Sequence, residues 1–136
     1  MRQWSIFSLL MLFCINAYAN EISIAAGQHK RVAPNFTAHE FWCHHCKTAK
    51  INGSLLYRLE LLRKELKDTP IHITSGYRCK HHNEEVGGVK KSQHMLGKAA
   101  DIQVKGYTPI EVSIAAKKVG FSFIKVYSGW THVDVR

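Results

Sequence analysis

Two stretches of this 136-residue chain carry most of its structural and chemical information: Ser92-Gln93-His94-Met95-Leu96-Gly97-Lys98-Ala99-Ala100-Asp101 and Trp130-Thr131-His132-Val133-Asp134. In each stretch polar residues alternate with apolar ones near the end, which predicts a strand with one polar face. Asp101 and His132 lie on those polar faces, so neighbouring strands can direct both side chains at one point. His94 approaches from the loop before the first strand, where Gly97 lets the chain turn.

These three polar residues form a plausible ligand set for a catalytic zinc ion. Catalytic zinc commonly takes three ligands from histidine and carboxylate side chains and leaves a fourth position for water. His94, Asp101 and His132 supply two imidazoles and one carboxylate. A single histidine of an exported chain is usually a surface residue, so the combined pattern, not any one residue, predicts the site.

The order of the motifs resembles the zinc D-alanyl-D-alanine carboxypeptidase family. The family pattern SxHxxGxAxD, followed later by HxD, is present here as Ser92, His94, Gly97, Ala99 and Asp101, then His132 and Asp134. Three upstream segments also resemble the family, and most of all its short branch of phage endolysins and murein endopeptidases: Ser75-Gly76-Tyr77-Arg78, His82-Asn83 and Val86-Gly87-Gly88. The resemblance covers residues 36–136.

The resemblance implies a fold, a cofactor and several residue roles. The fold would be α+β, a small antiparallel sheet with flanking helices, of the type that these peptidases share with lysostaphin-type enzymes and the Hedgehog signalling domain. Zn²⁺ would be held by the three residues named above. Arg78 matches the arginine that holds substrate carbonyl or carboxylate groups and stabilises the transition state, a role suited to its rigid donor fork. Ser92 would contact substrate or brace its loop, and Trp130 would line the cleft or pack in the core.

The general base is the point where this chain departs from better-known relatives. Many of them carry a carboxylate three residues before the last zinc histidine, where this chain has Gly129. Asp134 shares a strand face with His132, so we expect it to orient that ligand, with proton transfer as the alternative role. His81 and His82 are further candidates for the base, because histidine titrates near neutral pH.

Three cysteines in the body of the chain, Cys43, Cys46 and Cys79, allow several pairings. We expect a disulfide from Cys43 or Cys46 to Cys79, since an exported protein meets an oxidising compartment. A structural zinc site completed by His81 or His82 is a second possibility. A redox-active CxxC pair is the third, and it would require a strand before the motif and a helix starting at it.

The N-terminus predicts export. Arg2 is followed by a short apolar run and then by Ala17-Tyr18-Ala19, a small-x-small pattern typical of signal peptidase sites. Residues 1–19 are therefore predicted to be a signal peptide cleaved after Ala19, and lipidation at Cys14 is the alternative that we consider weaker. We expect a secreted or periplasmic protein with no permanent membrane span.

The remaining pattern predicts one domain. Residues 20–35 have no clear periodicity and are expected to be an irregular lead-in, and residues 36–136 form the predicted peptidase domain. Thr37 and Glu40 predict a capping box, a leucine stripe over residues 53–67 predicts an amphipathic helix, and a second helix should open at Thr108. Short helices are also possible near residues 37–40 and 80–86. Four strands are expected, at residues 71–74, 99–104, 122–127 and 131–135.

These observations together predict a zinc-dependent peptidase acting on peptidoglycan stems or cross-links. The formal charge of +9 suits an anionic envelope polymer, and export argues against nucleic acid as the partner. We expect a monomer. A zinc-containing cell-wall binding module without catalysis is the main alternative function, and a CxxC thiol-disulfide protein is a third.

Overall fold

The computed structural model describes residues 20–136, and the predicted signal peptide with Cys14 lies outside this part of the chain. A four-stranded antiparallel sheet organises the fold. Its strands lie in the order β5 (Ile71–Ser75), β6 (Ala99–Val104), β8 (Thr131–Asp134) and β7 (Phe123–Val126). The four strands agree with the sequence prediction, and the small antiparallel sheet with helices around it confirms the α+β class.

The longest helix lies where the leucine stripe predicted it. Helix α1 spans Gly53–Glu65, and Asn52 caps its start by accepting a hydrogen bond from the Ser54 amide. The leucine side chains of the stripe are at most 3% exposed, and they form the centre of the core: Leu55, Leu59, Leu62 and Leu66. Because these residues repeat at helical spacing, one apolar face suffices to fix the helix on the rest of the domain.

The other helical segments are shorter. Helix α2 spans Lys80–Glu85 and helix α3 spans Pro109–Lys118, where Thr108 and Glu111 form the predicted capping box. The predicted box at Thr37 and Glu40 is also present, but it opens a single 3-10 turn, Ala38–Phe41. A second 3-10 turn, Gln93–Leu96, leads into β6. Thus the segment from Ser92 to Asp101 lies in a turn followed by a strand.

The prediction of an irregular lead-in over residues 20–35 is wrong for part of this segment. Strand β1 (Glu21–Ile24) pairs with β4 (Ala49–Asn52), and β2 (Arg31–Ala33) pairs with β3 (Phe36–Thr37). The described residues therefore contain eight strands and not four. These additional strands are two to four residues long, so local alternation hardly reveals them, and β1 depends on pairing with the distant β4.

Two glycines allow close backbone approaches beside His94. A Cβ atom on Gly76 would lie 2.7 Å from the Phe41 Cα, so only glycine lets the strand end rest against the 3-10 turn. Gly97 has φ +67°, and a Cβ atom there would overlap the carbonyl oxygen of Lys50. The Gly97 carbonyl in turn accepts a hydrogen bond from the Asn52 amide at 2.9 Å. Gly97 thereby fixes the turn that carries His94 onto β4.

Alanine at Gly97 should destabilise the fold more than alanine at Gly87. Both glycines have nearly the same left-handed backbone, with φ +67° and +68°, but a Cβ at Gly87 meets nothing within 4 Å. Each substitution costs about 1–2 kcal/mol of backbone strain, and only Gly97→Ala adds the clash with Lys50. In urea denaturation we expect the free energy of unfolding of Gly97→Ala to be lower than that of Gly87→Ala by at least ~1 kcal/mol. An equal loss of unfolding free energy in the two variants would show that β4 shifts away from the new Cβ atom without cost.

Candidate metal centre and active site

Strand register brings the three predicted ligands together. Asp101 on β6 lies directly opposite His132 on β8 in the antiparallel pair, so both side chains leave the same face of the sheet. His94 reaches this face from the 3-10 turn before β6, and it is almost fully buried. The sequence prediction that two strands and one loop would converge here is confirmed by the positions of all three side chains.

The donor atoms of these side chains form a compact cluster. Asp101 Oδ1 lies 2.9 Å from His132 Nδ1 and 3.3 Å from His94 Nε2. One ligand atom from each residue falls within 4.8 Å of the other two. Ligands at about 2.0–2.2 Å from a tetrahedral zinc ion lie roughly 3.5 Å from one another, so the cluster needs little rearrangement to hold such an ion.

Each histidine has one ring nitrogen held by a neighbouring group. His94 Nδ1 donates to the Gly76 carbonyl oxygen at 2.7 Å, and its Nε2 lies 3.3 Å from Asp101 Oδ1. His132 Nε2 lies 3.1 Å from Asp134 Oδ2, and its Nδ1 faces Asp101. Hydrogen bonds of this kind fix the tautomer and the ring orientation of metal-binding histidines. The donor set and its supporting bonds therefore fit a zinc ion.

Arg78 is part of the same cluster. Its guanidinium donates to Asp101 Oδ2 at 2.9 Å and to Ser75 Oγ at 2.9 Å. Its backbone amide donates to the His94 carbonyl oxygen at 3.1 Å. The arginine thus contacts one candidate ligand through its side chain and another through its backbone, and the segment after β5 is tied to the turn that precedes β6.

Mutual charge compensation shifts the pKa values of the cluster. Burial raises the pKa of Asp101, but hydrogen bonds from His132 and His94 outweigh it and hold the pKa far below its ordinary value. Burial lowers the pKa of His132, and its contacts with Asp101 and Asp134 outweigh that effect and raise it. Burial likewise raises the pKa of Asp134, but Arg136 and His132 lower it on balance. The two carboxylates are therefore ionised throughout the neutral range.

The cluster lies in a cleft of about 700 Å³ whose lining contains several basic side chains. Four basic side chains line it: Arg78, Lys91, Lys125 and Arg136. Asp101 is the only acidic residue among the described residues that line this cleft. The rings of Tyr127 and Trp130 stack at 4.6 Å between centroids and 10° between planes, and both border the cleft. The site therefore offers a positively charged, partly aromatic surface beside the three donors.

Ser92 and Trp130 both line the cleft. Ser92 Oγ accepts a hydrogen bond from the His94 amide at 3.3 Å and is almost fully buried, so it braces the turn. Trp130 lies at the cleft wall and not in the central core. Sequence reasoning missed Tyr127 and Gln93. Gln93 lines the cleft, and its buried Oε1 has no hydrogen-bond partner. Its position between Ser92 and His94 is the sequence feature that could have indicated it.

The candidates for a general base lie elsewhere. His81 and His82 do not line the cleft that holds the cluster. His81 is largely exposed and pairs with Glu85, so their proposed role as base has no geometric support. Gly129 lines a neighbouring groove and its carbonyl accepts a hydrogen bond from Gln103. Asp134 is fully buried, with both oxygens bonded to Arg136, which fits orientation of His132 better than proton transfer.

The structure does not show the expected disulfide. Cys43, Cys46 and Cys79 are all free thiols, although their sulfur atoms lie within 4.8 Å of one another. The CxxC segment occupies a turn before β4 and does not open a helix after a strand, so it lacks the context of a thioredoxin-like redox motif.

Comparison with known proteins agrees with this geometry. A family model described as Peptidase M15 matches residues 34–134. The chain belongs to the peptidase M15 family. It is also similar to the zinc D-Ala-D-Ala carboxypeptidase of Streptomyces albus G, with 33% identity over 78 residues. That match covers 57% of this chain and 31% of the relative. The chain therefore matches less than a third of the relative's length.

Two sequence predictions can be assessed from these comparisons. The predicted family is confirmed, and the predicted zinc cofactor agrees with the relative's name and with the donor cluster of His94, Asp101 and His132. Within residues 20–136, no helix is both long and apolar enough to cross a membrane.

Replacement of Asp134 by asparagine should destabilise the metal-free protein in a pH-dependent manner. Because the folded-state pKa of Asp134 is lowered, its stabilising contribution is complete above the unfolded-state value of about 3.9 and is lost as the pH falls below it. At pH 6 we expect Asp134→Asn to lower the free energy of unfolding by about 1–3 kcal/mol. Urea denaturation in the presence of chelator should show this difference shrinking towards pH 2–3. A difference that is constant with pH would contradict the assigned contacts.

Proposed function

We propose that this M15 protein is a zinc-dependent metallopeptidase that hydrolyses peptide bonds in the stems or cross-links of bacterial peptidoglycan. The observation that carries the proposal is the convergence of His94, Asp101 and His132 in a cationic cleft, within a chain that belongs to a peptidase family. The named relative supports the choice of zinc and of a cell-wall peptide as substrate.

The residues of the cleft divide the chemical work among them. When bound, zinc supplies Lewis acidity and a water molecule that is nucleophilic near neutral pH. His94, Asp101 and His132 hold the ion, and Asp134 orients His132 through Nε2. Arg78 stands beside Asp101 and can donate to a substrate carbonyl or carboxylate, where its fixed charge stabilises a developing oxyanion.

The lining of the cleft supports an anionic peptide as substrate. Lys91, Lys125 and Arg136 add positive charge around Arg78, whereas Asp101 is paired within the cluster. Peptidoglycan stems carry free carboxylates, which such a surface attracts, and salt weakens that attraction. The stacked rings of Tyr127 and Trp130 offer an apolar wall for alkyl groups of the peptide.

A catalytically silent binding module remains a second candidate. The observation in its favour is that the described lining of the cleft contains neither a second carboxylate nor a histidine beyond the two ligands. Such a module would bind zinc and peptide through the same residues, so metal content cannot separate the two functions, whereas turnover can.

A product analysis should decide between them. We expect the purified protein, supplied with zinc, to convert defined cross-linked or uncross-linked muropeptides into products detected by mass spectrometry. The products should vanish with a chelator and return with added zinc, and their masses would identify the bond that is cut. His94→Ala and His132→Ala should abolish both turnover and zinc binding at this site. Bound muropeptide without any product would contradict the peptidase and support the binding module.

A lysine at Arg78 should impair turnover while zinc remains bound. Lysine keeps the positive charge but has a single nitrogen, so it loses the planar fork by which Arg78 reaches Ser75 and Asp101 from separate nitrogens. We expect kcat to fall on the order of 10²-fold, with zinc content measured by mass spectrometry unchanged. Lys91→Gln is the matched control, because it removes a cation from the same cleft without touching the cluster, and it should change KM more than kcat. Similar losses of kcat in both variants would contradict a specific role for Arg78.

A further inference from the structure

A second group of metal-binding side chains lies outside the cleft and takes no part in the proposed reaction. The sulfur atoms of Cys43, Cys46 and Cys79 lie within 4.8 Å of one another. Cys43 is completely buried, and the other two are half-buried. Three converging free thiols are unusual in a chain with only three cysteines among its described residues, because unpaired cysteines have no packing reason to gather at one point.

The turn that carries the first two cysteines is built around a sulfur atom. Burial raises the pKa of the Cys43 thiol, but backbone N–H groups of Cys79, Cys46 and His45 point at its sulfur and lower the pKa on balance. The Cys79 amide lies 3.4 Å from that sulfur. Lys47, just after the motif, has φ +58° although it is not glycine, and its amide closes the turn on the Cys43 carbonyl at 2.9 Å.

The third cysteine is positioned by a helix start and by a neighbouring histidine. Cys79 is the residue before α2, and its sulfur accepts from the His82 amide at 3.4 Å. The same sulfur lies 3.5 Å from His45 Nδ1. His45 therefore brings a nitrogen donor to the edge of the three sulfur atoms.

We propose that Cys43, Cys46 and Cys79, with His45 as the fourth ligand, form a structural zinc site separate from the catalytic cluster. Three thiolates and one imidazole are a common closed ligand set for structural zinc. Backbone N–H groups directed at the sulfur atoms stabilise the thiolate form that zinc requires, and the thiol protons pass to solvent as the ion binds.

The position of this site gives it a structural consequence. Cys43 follows the 3-10 turn that packs against Gly76, and Cys79 follows Arg78 directly in sequence. A zinc ion bound here would join the segment before β4 to the segment that carries the catalytic-cleft arginine. It would add to the contacts that already join these two segments, such as the hydrogen bond from the Tyr77 amide to the Phe41 carbonyl oxygen at 3.0 Å.

Metal counting on the purified full chain, prepared in reductant, should separate the two sites. We expect two zinc equivalents for the wild type, one for Cys46→Ser and one for a His94→Ala/His132→Ala double variant. Because Cys46 is half-buried, its replacement should leave the fold intact, which circular dichroism can check. Two equivalents retained by Cys46→Ser would overturn the proposal.

Cobalt substitution provides a readout that does not depend on a variant folding. Co²⁺ added to the zinc-free wild type should give thiolate-to-cobalt charge-transfer absorption, and this absorption should persist in the His94→Ala/His132→Ala variant. His45→Ala should weaken cobalt binding at least tenfold, whereas its matched control His81→Ala should not, although the ring centroids of His45 and His81 are only 4.2 Å apart. Equal effects of the two variants would overturn His45 as the ligand.

The remaining outcomes distinguish this inference from the proposed function. No charge-transfer absorption, together with a mass lower by two hydrogen atoms under non-reducing conditions, would show a disulfide and overturn the cysteine site. That result would leave muropeptide hydrolysis untouched. Conversely, absence of turnover with normal thiolate–cobalt absorption would reject the peptidase proposal and support the cysteine site.

Discussion

The buried carboxylate of Asp101 is the constraint on which the rest of the site depends. At 7% exposure it is ionised in an environment that strongly disfavours an isolated charge. His94, His132 and Arg78 compensate that charge, and each comes from a different part of the chain: a 3-10 turn, a neighbouring strand and the segment after β5. The pairing of β6 with β8 and the glycine turn before β6 are therefore required at once, because loss of either leaves a buried charge without its partners.

A second set of contacts holds the arginine side of the cleft. Gly76 lets the end of β5 rest on the backbone of Phe41, and its carbonyl accepts the hydrogen bond that orients His94. The same short segment thus serves both as a core contact and as a ligand support. The cysteine cluster lies immediately beyond Arg78 on this side. A metal ion there would stabilise by constraining two segments that are distant in sequence, which is where cross-links are most effective.

The parts of the fold that sequence revealed are those with strong local periodicity. The leucine stripe of α1 and the alternation in β6 and β8 each span several residues with one buried face, so pattern alone located them. Strands β2 and β3 have only three and two residues, too few to show alternation, and β1 pairs with the distant β4, which no local window can show. The ligands were found because strand alternation and a motif agreed. The Arg78–Asp101 ion pair depends on tertiary packing, which residue spacing alone does not show. The approach of Cys43 and Cys46 to Cys79 was expected, but as a disulfide and not as three converging thiols.

The chemistry of the cleft favours charge stabilisation over proton transfer. Its basic side chains and aromatic wall can bind an anionic peptide in the ground state, but binding that is equal in the ground and transition states does not raise kcat. Rate acceleration requires a group whose interaction strengthens as the oxyanion forms, and Arg78 is the residue next to the donor cluster that meets this requirement. Asp134 is buried and bonded to Arg136, so in the proposed reaction a zinc ion held by His94, Asp101 and His132 would supply the acidity that deprotonates water. A peptidase of this design should therefore be more sensitive to ligand geometry than to any single base.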